Sequence, residues 1–321
     1  SHAASFALLV YVSAWIKRHE PAAFLAGLLN SQPMGFYAPA QLVRDARAHG
    51  IEVRGVDVLE SDWESTLEEA DPRPQPAVRL GLDRVRGLSK AGALRLVAAR
   101  AERRLARPGL PPFDDVDDLA RAAGLDRRDL QSLADADALR ALAGHRLQAA
   151  WQVAAFAPPP PLLAWAAIGE APLALPEPTP GESTLADYRS LGIPMGQHPL
   201  ALLRPRLARR RARTAAELRE IPDGRIVAAC GIVTHRQRPE TARGTVFVTL
   251  EDESGAINVI VWPQVFERHR TEVLSARLMT VQGLWQRDTA TGGQVMHLIA
   301  RRVLDDSALL GRLAPGSRDF R

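Results

Sequence analysis

The sequence predicts a multidomain α+β protein, helical through its first half and ending in a small five-stranded barrel. Three observations carry this. Apolar residues recur at helical spacing through most of residues 4–156. Five short β-runs then follow within 223–305 at intervals of about ten residues, with one helix after the third. Between them lies a stretch rich in Pro and Ala with little periodicity. A length of 321 residues suits two or three domains with packed cores.

Composition narrows the class. Hydrophobic content is 46%, ordinary for a globular chain, and the net charge is +4. The positive charge is almost all arginine, since Lys17 and Lys90 are the sole lysines. That usage, with abundant Ala, reflects a GC-rich genome as much as function. A mildly basic chain is compatible with nucleic acid without demonstrating it. Cys230 is the single cysteine, which excludes an internal disulfide framework and a multi-cysteine zinc site. It fits a reducing, cytoplasmic compartment. No apolar run approaches the roughly 18 residues of a membrane span. The start, Ser1 to Ala7, has neither a signal-peptide pattern nor a methionine, and reads as a piece of a longer protein.

Residues 4–30 form two helices. Leu8, Leu9, Val12, Trp15 and Ile16 mark the first, and Pro21 opens the second. A third helix is expected over Gln41–Gly50, then strands over Ile51–Leu59 and Asp62–Leu67. Asp71 to Pro76 is a turn or linker. Trp15, Phe24 and Trp63 are expected in a core. A strand at Val78–Leu82 leads through Val85 to Gly92 into a helix over Ala93–Arg104. A tight glycine turn whose following helix starts near Lys90 suits a phosphate, because backbone N–H groups and the helix dipole point at the anion. The pattern resembles a helix-hairpin-helix, with Ser89 in place of the usual second glycine. Arg86, Ser89 and Lys90 are its candidate contacts. A second copy runs from Asp115–Ala123 through Gly124 to Asp129–Leu133, with Arg127 and Arg128 in the basic role. A plain helical hairpin is the alternative for both copies. Helix continues over Ala138–Phe156 until Pro158 to Pro161 stop it.

Leu162–Pro180 is expected to be a linker, and Ser183–Ser190 a helix capped by Ser183. Next comes the densest positive run: Arg204, Arg206, Arg209, Arg210, Arg211 and Arg213. Arg209, Arg210 and Arg211 are candidate phosphate contacts; a solvated face is the other reading. Thr214 caps a short helix before the barrel.

The barrel strands are expected at Arg225–His235, Thr245–Glu251, Ala256–Trp262, Arg277–Gln286 and Gln294–Val303, with a helix at Gln264–Leu274. This is the order of an OB-fold, which grips oligonucleotides with its first and last hairpin loops. Those loops hold Arg236, Arg238 and Arg243, and then Arg287. Alternation turns Val246, Val248 and Leu250 inward with Ile257, Val259 and Val261, leaving Phe247, Thr249, Asn258 and Trp262 outside. Phe247 and Trp262 are candidates to stack on bases, worth about 1–3 kcal/mol each. A second hydrophobic cluster, with Trp262 under the following helix, is the alternative. Glu251-Asp252-Glu253, followed by Ser254-Gly255, reads as a hairpin turn rather than a metal site.

Several segments together resemble a known family. They are Ser1 to Ala7, Gln32 to Tyr37, Leu191 to Pro199, Val246 to Gly255, Asn258 to Pro263 and Ser317 to Arg321. They resemble the C-family DNA polymerases, the bacterial polymerase III α-subunits, and most closely the error-prone, ImuC-type branch. The resemblance spans essentially the whole chain and implies its C-terminal region. Residues 1–76 would be distal fingers, 77–157 tandem helix-hairpin-helices on duplex DNA, and 158–215 a Pro-rich and Arg-rich connection. Residues 216–305 would be an OB-fold near single-stranded template, and 306–321 a tail. Ser1 and His2 would approach the incoming nucleotide. The palm aspartates that hold Mg²⁺ in that family have no counterpart here, so the resemblance implies no cofactor in this chain and no activity alone. No Gln-x-x-Leu-Phe-type clamp motif is present. The error-prone branch would reach the sliding clamp through mutasome accessory proteins, with no membrane partner. The rival reading is a protein-interaction module that docks those accessory proteins.

Overall fold

The computed structural model describes residues 2–34, 37–69, 75–156, 174–288, 295–311 and 318–320. Two compact units account for them, Ser1–Met195 and Gly196–Arg321. Residues 71–74 of the predicted turn and 162–173 of the predicted linker lie outside the described residues.

In the first unit, α1 (His2–His19), α2 (Pro21–Asn30) and α3 (Pro39–Ala48) precede a small sheet of β1 (Val53–Arg54), β2 (Thr66–Glu68) and β3 (Ala77–Arg79). β3 lies between the other two, parallel to β1 and antiparallel to β2. The helices α4 (Lys90–Ala106), α5 (Val116–Ala123), α6 (Arg127–Asp135), α7 (Arg140–Ala143), α8 (Arg146–Ala155) and α9 (Pro180–Ser190) follow. One continuous core joins them, running from Leu25 and Leu29 of α2 through Leu96 of α4 and Phe113 to Leu133 of α6 and Val153 of α8.

Four local expectations are corrected. Trp15 is 49% exposed, with Phe6, Leu8, Leu9 and Val12 of the same helix, so α1 contributes little to this core. The strand expected over Ile51–Leu59 shrinks to Val53–Arg54, because Asp57 accepts from the Leu59 amide and turns the chain. The helix expected over Ala138–Phe156 breaks at Gly144 (φ 84°) into α7 and α8. The α9 helix begins three residues before Ser183. Thr179 caps it and Glu182 reaches back to the Thr179 amide at 2.9 Å, a capping box around Pro180.

The second unit starts with α10 (Pro199–Arg209), β4 (Ala212–Arg213) and α11 (Ala215–Glu220), the last capped by Thr214. The barrel strands are β5 (Ile226–Gln237), β6 (Val246–Asp252), β7 (Gly255–Val261), β8 (Leu278–Arg287) and β9 (Met296–Asp305). The expected helix between β7 and β8 divides at His269 into α12 (Pro263–Arg268) and α13 (Arg270–Ser275). β5 is long enough to serve two neighbours: Ile226–Ile232 pairs with β8, and Ile232–Gln237 pairs with β6. β7 pairs parallel with β9 and β9 antiparallel with β8, closing the barrel. Closure demands a tight crossing at Gly283, where a Cβ would lie 1.9 Å from the Ile299 carbonyl oxygen. A register shift between Gln282 and Gly283 marks the same corner. Inward residues of all five strands and Phe266 of α12 fill the interior. Arg318–Phe320, expected in a tail, forms β10 and pairs parallel with His235–Gln237 of β5.

Candidate nucleic-acid interface

The hairpin turn before α4 carries its own anion. Ser89 caps the helix, its hydroxyl oxygen accepting from the Gly92 amide at 2.9 Å. The Ser89 amide donates to one carboxylate oxygen of Asp129 and the Ser89 hydroxyl to the other, both at 2.8 Å. Asp129 is 3% exposed. A Cβ on Gly92 would lie 2.2 Å from that carboxylate, so the glycine makes room for it. The expectation of Ser89 as an open phosphate contact is therefore corrected: its amide and hydroxyl are both engaged by the Asp129 carboxylate of α6.

Three of the nearby cations are also engaged. Arg86 donates to the carbonyls of Tyr188 and Arg189 (3.1 and 3.2 Å), supporting the end of α9. Arg127 donates to the Ala154 carbonyl at 3.0 Å, at the end of α8. The Lys90 ammonium stands 5.5 Å from the centre of the Trp63 ring. Arg128 is exposed and has no side-chain partner among the described residues.

The barrel presents a different surface. Gln237, Phe247, Ile260 and Ile299 are register partners across β5, β6, β7 and β9, and so form one outward row. Thr249 and Asn258 form the next row on β6 and β7. Phe247 is 38% exposed and Asn258 is exposed. Trp262 is 50% exposed and caps α12, so the alternative that buried it under that helix is not realised. Sequence reasoning missed Ile260, Ile299 and the exposed Arg301 of β9. Alternation through Asn258 places Ile260 outside, and that signal was available.

The loop arginines divide. Arg236 is corrected: it belongs to β5, is 6% exposed, and donates to the carbonyls of Val273 (2.7 Å) and Ala276 at the end of α13. Arg287 ends β8, with its side chain donating to the Ile221 carbonyl at 3.1 Å. Most of the loop after it, 289–294, lies outside the described residues. Arg238 is exposed, its guanidinium 5.0 Å from the centre of the Phe266 ring. Arg243 is exposed in the left-handed region (φ 48°) just before Gly244.

The arginine run divides in the same way. Arg204 makes a two-pronged pair with Glu253 (2.5 and 2.6 Å). Burial works to raise the Glu253 carboxyl pKa, but the Arg204 hydrogen bonds and charge prevail and hold it below the usual range. Arg210 pairs with Asp306 and Arg213 with Glu217. Arg209 and Arg211 are exposed and meet no carboxylate among the described residues. Asp252 is fully buried, accepting from the amides of Ser254, Gly255 and Ala215, as a hairpin turn requires. Cys230 is fully buried, and that burial pushes its thiol up to about 12, which removes it as a nucleophile.

Comparison with known proteins agrees with these features. Residues 50–149 match the helix-hairpin-helix motif family, and residues 223–303 match the OB-fold nucleic acid binding domain family. Proteins called error-prone DNA polymerase match the entire chain. That of Bordetella parapertussis is 55% identical over 326 residues, and that of an Azoarcus species 56% identical over 324. The chain is similar over its whole length to these error-prone DNA polymerases. It spans about 30% of the length of the curated relatives it matches. The predicted fold class holds: a helical region with hairpin motifs, then a closed five-stranded OB barrel. Ser1 lies outside the described residues, and His2 begins α1. Among the described residues no group of three or more His, Cys, Asp or Glu is placed to hold a metal ion. No helix among them is long and apolar enough to cross a membrane.

Proposed function

We propose that this chain is the DNA-holding part of an error-prone DNA polymerase that acts in translesion synthesis and damage-induced mutagenesis. The observation that carries the reading is the barrel surface. Phe247 stands out from a largely apolar sheet row, and the exposed guanidiniums of Arg209, Arg211, Arg238 and Arg243 belong to the same barrel unit and meet no carboxylate among the described residues. Stacking tolerates any base and guanidiniums hold phosphates, which suits a protein that must follow any template. The whole polymerase would transfer nucleotides with Mg²⁺ on residues outside this chain, in the cytoplasm. It would meet the sliding clamp through mutasome accessory proteins. The 321-residue chain alone is expected to extend no primer.

A salt titration of single-stranded DNA binding by fluorescence anisotropy tests this. Each neutralised phosphate contributes about −0.7 to the slope of log affinity against log salt. A flat response would remove the proposal. A second reading is favoured by the aliphatic neighbours of Phe247, Ile260 and Ile299: the barrel docks an accessory protein instead. Replacing Arg238 and Arg243 by Ala separates the two, since loss of DNA binding with intact partner capture supports the first and the reverse supports the second.

A further inference from the structure

The Ser317 to Arg321 motif belongs to none of the five barrel strands, yet Arg318–Phe320 forms β10 on the barrel. Its place follows from the way β8 leaves β5. The two strands pair only over Ile226–Ile232, because β8 begins at Leu278, the partner of Ile232. The Val233 amide still reaches the Arg277 carbonyl at 2.9 Å. Beyond it, one edge of β5 pairs with β6 and the other meets none of the five barrel strands. β10 fills that other edge, with Arg318, Asp319 and Phe320 in parallel register beside His235, Arg236 and Gln237.

An open strand edge is a template for another extended segment. Two features prepare this one. Arg236 is 6% exposed and bonded to the Val273 and Ala276 carbonyls, so the edge is held in shape independently of β10. The register position beside Gln237 also extends the row of Phe247, Ile260 and Ile299, where an apolar residue gains cross-strand neighbours. β10 itself is a weak strand. It has three residues in a parallel pairing, and of Arg, Asp and Phe only the last favours strands. Its hold comes from tethering. Residues 311–317 join it to Leu310, which is 5% exposed in a cluster with Ile232 and Leu278, beside the edge. So short a tether sets an effective concentration on the order of millimolar. A second copy offering the same residues at roughly micromolar concentration loses to the strand in place. Another protein displaces it only with a better strand former, rich in β-branched or aromatic residues.

We propose that the β5 edge at His235–Gln237 is a docking site for an extended, β-branched or aromatic segment of a partner protein, with β10 as its built-in competitor. The site uses the backbone edge rather than the sheet face assigned to DNA, and stands or falls apart from that reading. Anisotropy with labelled synthetic peptides, added to the 321-residue chain, tests it. One peptide copies residues 314–321, and a second carries Asp319→Val. A third carries Asp319→Pro and Phe320→Pro, which removes two successive amides, one of which must face β5. The same two prolines in the chain disable its own strand. That variant is expected to bind the first peptide with a Kd of roughly 10–100 µM, and the wild-type chain to bind it about 10- to 100-fold more weakly, given the millimolar tether. The Asp319→Val peptide should bind the variant about two- to fivefold more tightly, and the diproline peptide should not bind. Hydrogen exchange locates the peptide: protection over His235–Gln237 should fall in the variant and return with the first peptide, while the other barrel strands stay protected.

No peptide binding by the variant, equal affinity in the two chains, or binding without restored protection would overturn the site. Equal binding of the diproline peptide would do the same. A concentration-dependent dimer of the wild-type chain that the two prolines abolish would give the edge to a second copy and overturn the partner assignment.

Discussion

The hairpin region and the barrel both carry arginines beside structures suited to anions, yet they use them in opposite ways. In the hairpin region the anion is built in. Asp129 sits on the Ser89 amide, and Arg86 and Arg127 support the ends of two helices. In the barrel unit Arg209, Arg211, Arg238 and Arg243 are exposed and meet no carboxylate among the described residues. Each region has an exception: Arg128 meets no side-chain partner among the described residues in the first, and Arg236 is buried in the second. The lesson is that a count of basic residues locates no phosphate. What matters is which cations the fold has already satisfied.

The largest expected effect tests that internal use. Arg146 and Asp187 form a buried pair in the helical unit at 2.6 Å, with side chains 8% and 5% exposed. The second Asp187 oxygen accepts from the Met195 amide. Asp187→Ala leaves the guanidinium buried without its counter-charge, holding on only to the Ser183 carbonyl, so a loss of about 3–5 kcal/mol is expected in urea unfolding. A loss below about 1 kcal/mol would show that the pair is dispensable, as exposed pairs are.

Arg236→Met comes next. It removes charge-assisted hydrogen bonds to the α13 carbonyls while keeping the buried length, and about 1.5–3 kcal/mol should be lost. Affinity for DNA per folded molecule should stay unchanged. A weakened but fully stable variant would return Arg236 to the binding surface and erase the contrast with Arg243. The Arg204–Glu253 pair gives a smaller, pH-dependent effect. The folded-state pKa of Glu253 is depressed, so its contribution is present above the ordinary glutamate range and fades as pH falls through the depressed value. Stability measured from pH 6 down to pH 2 should decline there, and Arg204→Ala should remove that part of the decline.

Much of the barrel was legible because β-branched residues alternate cleanly along Val246–Asp252 and Gly255–Val261, and only one register buries them. The capping box of α9 was legible too, in the Thr179 to Glu182 spacing, although Ser183 drew attention away from it. Other features depended on partners far along the chain. Ser89 and Asp129 are 40 residues apart, and nothing local marks Asp129 as the anion for that turn. The run to His235 suggested a strand end, but β5 continues to Gln237, and two further residues carried Arg236 from a loop into the core. Trp15 misled for a related reason. Helical spacing reports a helix, and the apolar residues of α1 stay exposed because no neighbouring element here covers them.

The smallest effect bears most directly on the comparison. If Asp129 stands where a phosphate would, Asp129→Ala should do two things at once. It should destabilise the helical unit by about 0.5–1.5 kcal/mol, because the Ser89 amide and hydroxyl lose their acceptor. It should also raise affinity for duplex DNA at low salt by about two- to fivefold, the ~0.3–1 kcal/mol that a helix N-terminus offers an anion. Asp129→Asn keeps an acceptor oxygen and should recover stability without the gain in affinity. Anisotropy with a duplex oligonucleotide at 25 °C, under conditions where each variant remains folded, reads the second effect apart from the first. Lost stability with unchanged duplex affinity would mean that the α4 turn faces no DNA. The hairpin region would then meet duplex elsewhere, with Arg128 the exposed cation left to test.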